Sequence, residues 1–299
     1  MATASNKWGA SGSRLILMLS SERSGSTLLR VMLGQHSRVV APSELWLMHY
    51  PDYEAWRQGW PPAIESVLEY LHLVGRPMAE AELEKACKGQ STLDIYRWML
   101  DRLVAGSFLI DKTPAYANSI ETLERSRAFA PYYIWLIRHP LGVIDSYVRL
   151  KQERSNFRGL RLIRRKILDQ IERYRNAGMT SLAKQREVRW VQQQENINQF
   201  LSTVSHSQKS CVRFEDLVSD PKGTLTGLCE QIGLAWEEGV LSPALKSMDV
   251  RRGIGDARLG SRDKIEASVA NEWTERFNER MLGPKTLDLV EKMWTRGLS

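Results

Sequence analysis

Residues 15–33 read LILMLSSERSGSTLLRVML, and no other stretch restricts the fold so strongly. Leu15 to Ser20 is a continuous run with no alternation, the pattern of a strand buried on both faces. It ends in a cluster of Ser and Gly. From Thr27 to Gln35, apolar residues fall at 28, 29, 32 and 33, which is helical spacing. Strand, small-residue turn and helix together open a parallel α/β unit. A loop of this kind aims backbone N–H groups and the positive end of a helix dipole at one point. Arg23 adds a fixed cation, Gly25 lets the backbone approach an oxyanion, and the amides of 24–27 with the hydroxyls of Ser24, Ser26 and Thr27 supply donors. The plain alternative is a βα turn with capping serines.

A nucleotide triphosphatase loop would place Gly, four residues, Gly-Lys and then Ser or Thr here. Instead Ser20 and Ser24 stand at the two Gly positions and Gly25 at the Lys. The next strong strand, Tyr132 to Ile137, ends in Arg138, where a kinase of that type keeps a metal-holding Asp. Cations in place of a carboxylate favour direct binding of an anion with no metal.

The remaining chain reads as one α/β unit. A short strand is expected around Val39 to Ala41, leading into Pro42-Ser43-Glu44. Residues 45–105 read as mostly helical, broken at Pro61-Pro62 and Gly75. Phe108 to Ile110 is a strand running into Asp111-Lys112-Thr113-Pro114. Pro140 suits the first turn of a helix after Arg138-His139, because its missing N–H has no intrahelical partner there. Residues 151–205 read as basic amphipathic helices, Cys211 to Phe214 as the last strand, and Pro221 to Ile232 as a helix. Residues 251–264, RRGIGDARLGSRDK, read as a loop. Residues 1–13 are expected to be a flexible arm or linker remnant, and 14–299 a single domain.

Composition excludes several classes. No apolar run approaches the roughly 20 residues that span a bilayer. Cys87, Cys211 and Cys229 are far apart, which excludes a disulfide framework and suits a reducing, cytoplasmic location. The net charge of +7 is local: residues 149–189 hold thirteen Lys and Arg against four Asp and Glu. That patch is either a solvated helix face or a surface for an acidic partner, an anionic ligand or nucleic acid. Aromatics are sparse there (Phe157, Tyr174), which argues against nucleic acid held by stacking.

Three segments in order resemble the sulfotransferases that use 3′-phosphoadenosine 5′-phosphosulfate (PAPS). ERSGSTLLR (22–30) is similar to their 5′-phosphosulfate loop. IRHPLGVIDS (137–146) is similar to their 3′-phosphate motif, an Arg followed eight residues later by a Ser. RFEDLVSDP (213–221) resembles a third segment near the adenine. The resemblance implies an α/β, P-loop-like sulfotransferase fold, a central parallel sheet flanked by helices. It implies PAPS as donor, the bisphosphate PAP as product, and no required metal.

By that resemblance, Arg23 and residues Ser24 to Thr27 would hold the phosphosulfate, and Arg138 and Ser146 the 3′-phosphate. Lys112, after its strand, would stabilise the transferring group, as in the tyrosylprotein branch. Asp111 is expected to be structural, orienting Lys112 or Arg23. Glu44 lies 21 residues after Arg23, the spacing of that branch's catalytic base. The cytosolic branch uses a His that this chain lacks at Lys112-Thr113-Pro114. A Glu beside several cations is a weak base unless the acceptor pocket desolvates it. His49 is the fallback base, and His36, His72, His139 and His206 are expected to be structural. Arg262 and Lys264 would touch phosphate from a late basic loop. Phe214 either packs on adenine or fills the core. Trp46, Tyr50, Tyr53, Trp56 and Trp60 either wall an acceptor pocket or form a helical core. The expected acceptor is a hydroxyl. The bacterial type, including domains embedded in polyketide synthases, suggests the β-hydroxyl of an acyl chain on an acidic acyl carrier protein. The alternatives are a metal-dependent P-loop kinase and a non-catalytic nucleotide or nucleic-acid binder.

Overall fold

The run LILMLS becomes β1 (Leu15–Ser20), the middle strand of a five-stranded sheet. The other strands are β2 (Val39–Val40), β3 (Phe108–Asp111), β4 (Tyr132–Ile137) and β5 (Lys209–Arg213), in the order β2-β3-β1-β4-β5. All pairings are parallel. The structure is a computed structural model, and it describes residues 14–157, 181–242 and 266–295. Residues 1–13, most of the basic patch, and the loop carrying Arg262 and Lys264 lie outside the described residues.

Every residue of β1 and β4 is buried, as parallel strands covered on both faces require. The two-residue period of a strand divides β1 between two cores. Leu15, Leu17 and Leu19 point to the cluster containing Trp56, Tyr70 and Trp190. Ile16 and Met18 point to the opposite cluster with Leu28, Met32, Leu225 and Ile232. Helix α1 (Ser26–Leu33) covers that second face. Four helices fill the expected helical stretch: α2 (Tyr53–Gly59), α3 (Ala63–Leu73), α4 (Glu80–Cys87) and α5 (Thr92–Leu100). They are followed by α6 (Ile120–Arg125), α7 (Pro140–Phe157), α8 (Ser181–Leu201), α9 (Phe214–Ser219), α10 (Pro221–Ile232) and α11 (Pro284–Thr295). Among the described residues no helix is long and apolar enough to cross a membrane.

The last strand differs from its expected span. It begins at Lys209 and ends at Arg213, and Phe214 opens α9. Glu215 and Asp216 fall in that helix's first turn, where the dipole favours acids. β5 is also an edge strand of mixed burial, so its apolar signal is short.

The topology places the site. From β1 the chain crosses to β2 on one side, whereas from β4 it crosses to β5 on the other. The strand order therefore reverses between β1 and β4, and ligands of open α/β sheets bind in the crevice beyond the strand ends at such a point. Ser20 pairs in register with Leu136, so the loops after both strands leave the sheet side by side.

Candidate active site

The loop after β1 holds two residues in the left-handed region, Arg23 at φ 68° and Gly25 at φ 88°. Ser21 and Ser24 share a buried hydroxyl contact of 2.6 Å, which closes the turn. Gly25 is the N-cap of α1, with no side-chain cap and no acid in the first turn. The helix N-terminus thus offers its amides and its dipole to the crevice with no internal anion against it.

Arg138 leaves the end of β4 and reaches back to the loop. Its Nη1 donates to the Arg23 carbonyl at 3.2 Å and its Nη2 to the Val269 carbonyl at 3.3 Å. The side chain is buried, and its Nε has no hydrogen-bond partner. Burial pulls the guanidinium down to about 10, with the nearby Glu215 carboxylate opposing. Arg23 Nε donates to Ser146 Oγ at 3.2 Å, so Arg23, Arg138 and Ser146 meet, although 115 and 123 residues separate the contacts. A buried cation with an unused donor beside an uncapped helix start fits a phosphorylated anion.

Phe214 is wedged into this junction. The Arg138 guanidinium lies 4.2 Å from its ring centroid, and a Cβ on Gly25 would meet its Cδ2 at 2.3 Å. The ring is 4% exposed and belongs to the core around Leu28 and Leu217, so it supports the loop from beneath.

Lys112 and Glu44 form the second half of the site. Lys112 Nζ lies 2.6 Å from Glu44 Oε1, with the Lys side chain 2% and the Glu 18% exposed. Burial lowers the Lys112 pKa, and the Glu44 charge works against that. Trp46 Nε1 donates to the other oxygen, Glu44 Oε2, at 3.2 Å.

Asp111 orients neither Lys112 nor Arg23 by hydrogen bonding. Fully buried, it accepts from Thr113 Oγ1 and Tyr116 OH at 2.8 Å each, and from Tyr96 OH. Its carboxyl is pushed up to about 7, burial outweighing the hydroxyl donors. Tyr96 and Tyr116 are site-supporting residues that sequence reasoning passed over. Nothing in a helix-spaced or loop Tyr marks it as a carboxylate partner.

The aromatic group divides. Tyr53 and Trp56 are core residues. Trp46, Tyr50 and Trp60 are only partly buried, and Trp46 stacks on Trp60 with centroids 4.5 Å apart. His49 is exposed and meets the edges of Trp46 and Tyr50. Partial desolvation by the flanking rings, with Arg125 adding to it, lowers its pKa. Two other histidines have structural contacts. His36 Nε2 lies 2.8 Å from the Ala235 carbonyl, and His139 stacks on Trp273 at 4.4 Å.

A shallow, half-open cleft lies beside the loop, with about 10 Å³ of water-sized space, lined by Arg23, Tyr147, Arg186, Arg189, Trp190 and Gln193, among others. Arg186 and Arg189 of α8 grip the two oxygens of Glu22 at 3.1 and 2.6 Å. Arg186 also donates to Tyr147 OH at 2.5 Å and stacks on its ring. This end of the basic patch therefore faces the phosphate loop. Among the described residues, no group of three His, Cys, Asp or Glu is placed to hold a metal ion.

The sequence model of the Sulfotransferase family matches residues 16–238, well over half of the chain, including Arg23, Glu44, Lys112, Arg138 and Ser146. The chain is a member of the sulfotransferase family. Two solved sulfotransferase domains share its architecture across nearly their whole length. One is the sulfotransferase domain from the curacin biosynthetic pathway, 26% identical, with a TM-score of 0.72, 93% of this chain covered and 96% of that one. The other is the sulfotransferase domain from the Synechococcus PCC 7002 olefin synthase, 27% identical, with a TM-score of 0.75, 93% and 94% covered. No curated protein matches the chain. Neither the kinase nor the nucleic-acid alternative finds support among these matches to the sulfotransferase.

Proposed function

We propose that this sulfotransferase takes its sulfo group from PAPS and gives it to an alcohol, with Glu44 as base. The observation that supports this most is the convergence of Arg23, Arg138 and Ser146 at the reversal point between β1 and β4, beside an uncapped helix start. When bound, PAPS supplies a sulfo group whose bond to the nucleotide breaks with its electron pair leaving on the bisphosphate, as the acceptor oxygen bonds to sulfur.

The chain's own residues divide the remaining work. Arg138 and Ser146 hold the 3′-phosphate. Residues Ser24 to Thr27 supply amides and hydroxyls to the phosphosulfate, while Arg23 and Lys112 meet the charge that grows on the departing oxygens. Glu44 takes the acceptor's hydroxyl proton on a carboxylate oxygen. Trp46, stacked on Trp60, stands next to that carboxylate and limits water around it. Phe214 supports the loop from below, adjacent to the adenine site. Arg262 and Lys264, outside the described residues, are proposed to touch phosphate.

The acceptor we favour is a hydroxyacyl chain on an acidic carrier protein. The two neighbours come from a biosynthetic pathway and an olefin synthase, and Arg186 and Arg189 bring positive charge to the rim of the cleft. Carrier surfaces of opposite sign would be drawn to that rim.

Calorimetry with PAP tests the donor assignment. The wild-type chain binds PAP, and Arg138→Ala weakens binding roughly 10²-fold or more, because truncating one partner of a buried charged contact costs about 2–5 kcal/mol. Glu44→Gln leaves PAP binding intact and lowers turnover by about 10²–10⁴. Absence of PAP binding by the wild-type protein overturns the assignment.

A further inference from the structure

We propose that Asp111 is a positioning residue for Glu44, acting through Thr113 and Tyr116 on the backbone of Trp46 and Met48. This rests on the reading of Glu44 as the base. Asp111 closes β3 with no exposure to solvent, and it faces hydroxyls from three places: Tyr96 on α5, Thr113 two residues on, and Tyr116 in the 3₁₀ turn Pro114–Asn118. Each hydroxyl has one proton and two lone pairs. Once the proton points to Asp111, the remaining capacity is to accept. Thr113 Oγ1 accepts the Trp46 N–H at 3.3 Å, and Tyr116 OH accepts the Met48 N–H at 3.2 Å. When ionised, the carboxylate thus sets the direction of two hydroxyls that would otherwise rotate.

Those two amides carry the segment that presents the base. Trp46 sits at φ 60°, a left-handed conformation that a bulky residue keeps only when its surroundings over-determine it. Its indole N–H holds Glu44 Oε2 at 3.2 Å, while Lys112, the neighbour of Asp111, holds Oε1 at 2.6 Å. Both oxygens of Glu44 are therefore aimed by groups that hang on the end of β3. Asp111→Asn keeps the volume but puts an amide donor where the carboxylate accepts. At least one hydroxyl must then accept from that amide and turn its proton away from residue 111, so its direction is no longer fixed.

A double-mutant cycle tests this on the full chain, with turnover and PAP affinity as separate readouts. Asp111→Asn is expected to lower kcat roughly 10- to 100-fold, the scale of an ångström-sized misplacement. PAP affinity stays within about 2-fold, since Arg138, whose contacts run to Arg23 and Val269, makes no contact with this network and Lys112 keeps its place at the end of β3. In a Glu44→Gln background the same substitution has no further effect on kcat. Additive losses, wild-type kcat, or a matching loss of PAP affinity would each overturn the proposal. Should Asp111→Asn not fold, Thr113→Val and Thr113→Ser decide: Val loses kcat in the Glu44 background only, and Ser, which keeps the hydroxyl, retains it. Equal kcat for Val and Ser refutes the idea. If Glu44→Gln alone keeps full turnover, the base assignment is what fails, and that result is distinct from any of these.

Discussion

Gly25 is confined to glycine for two separate reasons. Its φ of 88° costs any other residue about 1–2 kcal/mol, and the Phe214 ring already fills the place of a Cβ. Gly25→Ala should therefore destabilise the fold by on the order of 3 kcal/mol, backbone strain and overpacking together. Chemical denaturation measures it. Adding Phe214→Leu should return part of the loss by vacating the ring, and an unchanged midpoint for Gly25→Ala would contradict the packing. His139 allows a second residue-scale test. Its ring is buried against Trp273, its Nδ1 accepts the Leu141 N–H at 3.3 Å, and its Nε2 lies 3.3 Å from Glu279. Burial, with Arg138 nearby, pulls it down to about 4 from an ordinary 6.5, and the exposed Glu279 does not reverse that. The folded chain thus refuses a proton that the unfolded chain takes up. Stability contributed by the neutral ring is complete above about pH 6.5 and is lost as pH falls toward 4. Denaturation midpoints between pH 4.5 and 7 should slope less in His139→Gln than in the wild type.

At the scale of elements, what the sequence makes legible depends on how local the cause is. β1, its loop, α1 and β4 are all legible, because unbroken apolar runs and a Ser/Gly cluster act over a few residues. α10 runs from Pro221 to Ile232 as its pattern requires, with Asp220 capping the Gly223 amide at 2.9 Å. β5 is displaced because an edge strand carries half the burial signal of a central one. The site follows the same rule. Arg23, Arg138, Ser146, Glu44 and Lys112 are recognisable as candidates from motif and strand-end position. The 2.6 Å pairing of Glu44 with Lys112 spans 68 residues and has no local trace. Nor does the role of Asp111: its partner Tyr96 sits on a helix whose only visible pattern is core spacing. The same distance hides the grip of Arg186 and Arg189 on Glu22, since a run of basic residues reads alike whether it faces water or a loop.

For the molecule as a whole, charge and topology coincide. The reversal of strand order fixes one crevice, and α8 turns two arginines toward it. If a carrier protein delivers the acceptor, the rate on a carrier-tethered hydroxyacyl chain should exceed that on the free chain at low salt. The advantage should shrink as ionic strength approaches about 1 M, where the Debye length is near 3 Å. Double substitution of Arg186 and Arg189 by Gln should reduce the ratio of carrier-tethered to free-chain rates, a ratio in which any loss from the freed Glu22 is common to both acceptors. Equal rates on both acceptors at low salt would remove the carrier from the account.

The ammonium of Lys112 is shared territory: one of its hydrogen bonds goes to the carboxylate of Glu44. On the proposed reading, a sulfo group seated beside Lys112 would draw on the same ammonium that holds Glu44 Oε1, so the donor and the alcohol ends of the site share one cation. If so, that one contact makes an ordered addition, donor ahead of alcohol, the expected pattern of turnover.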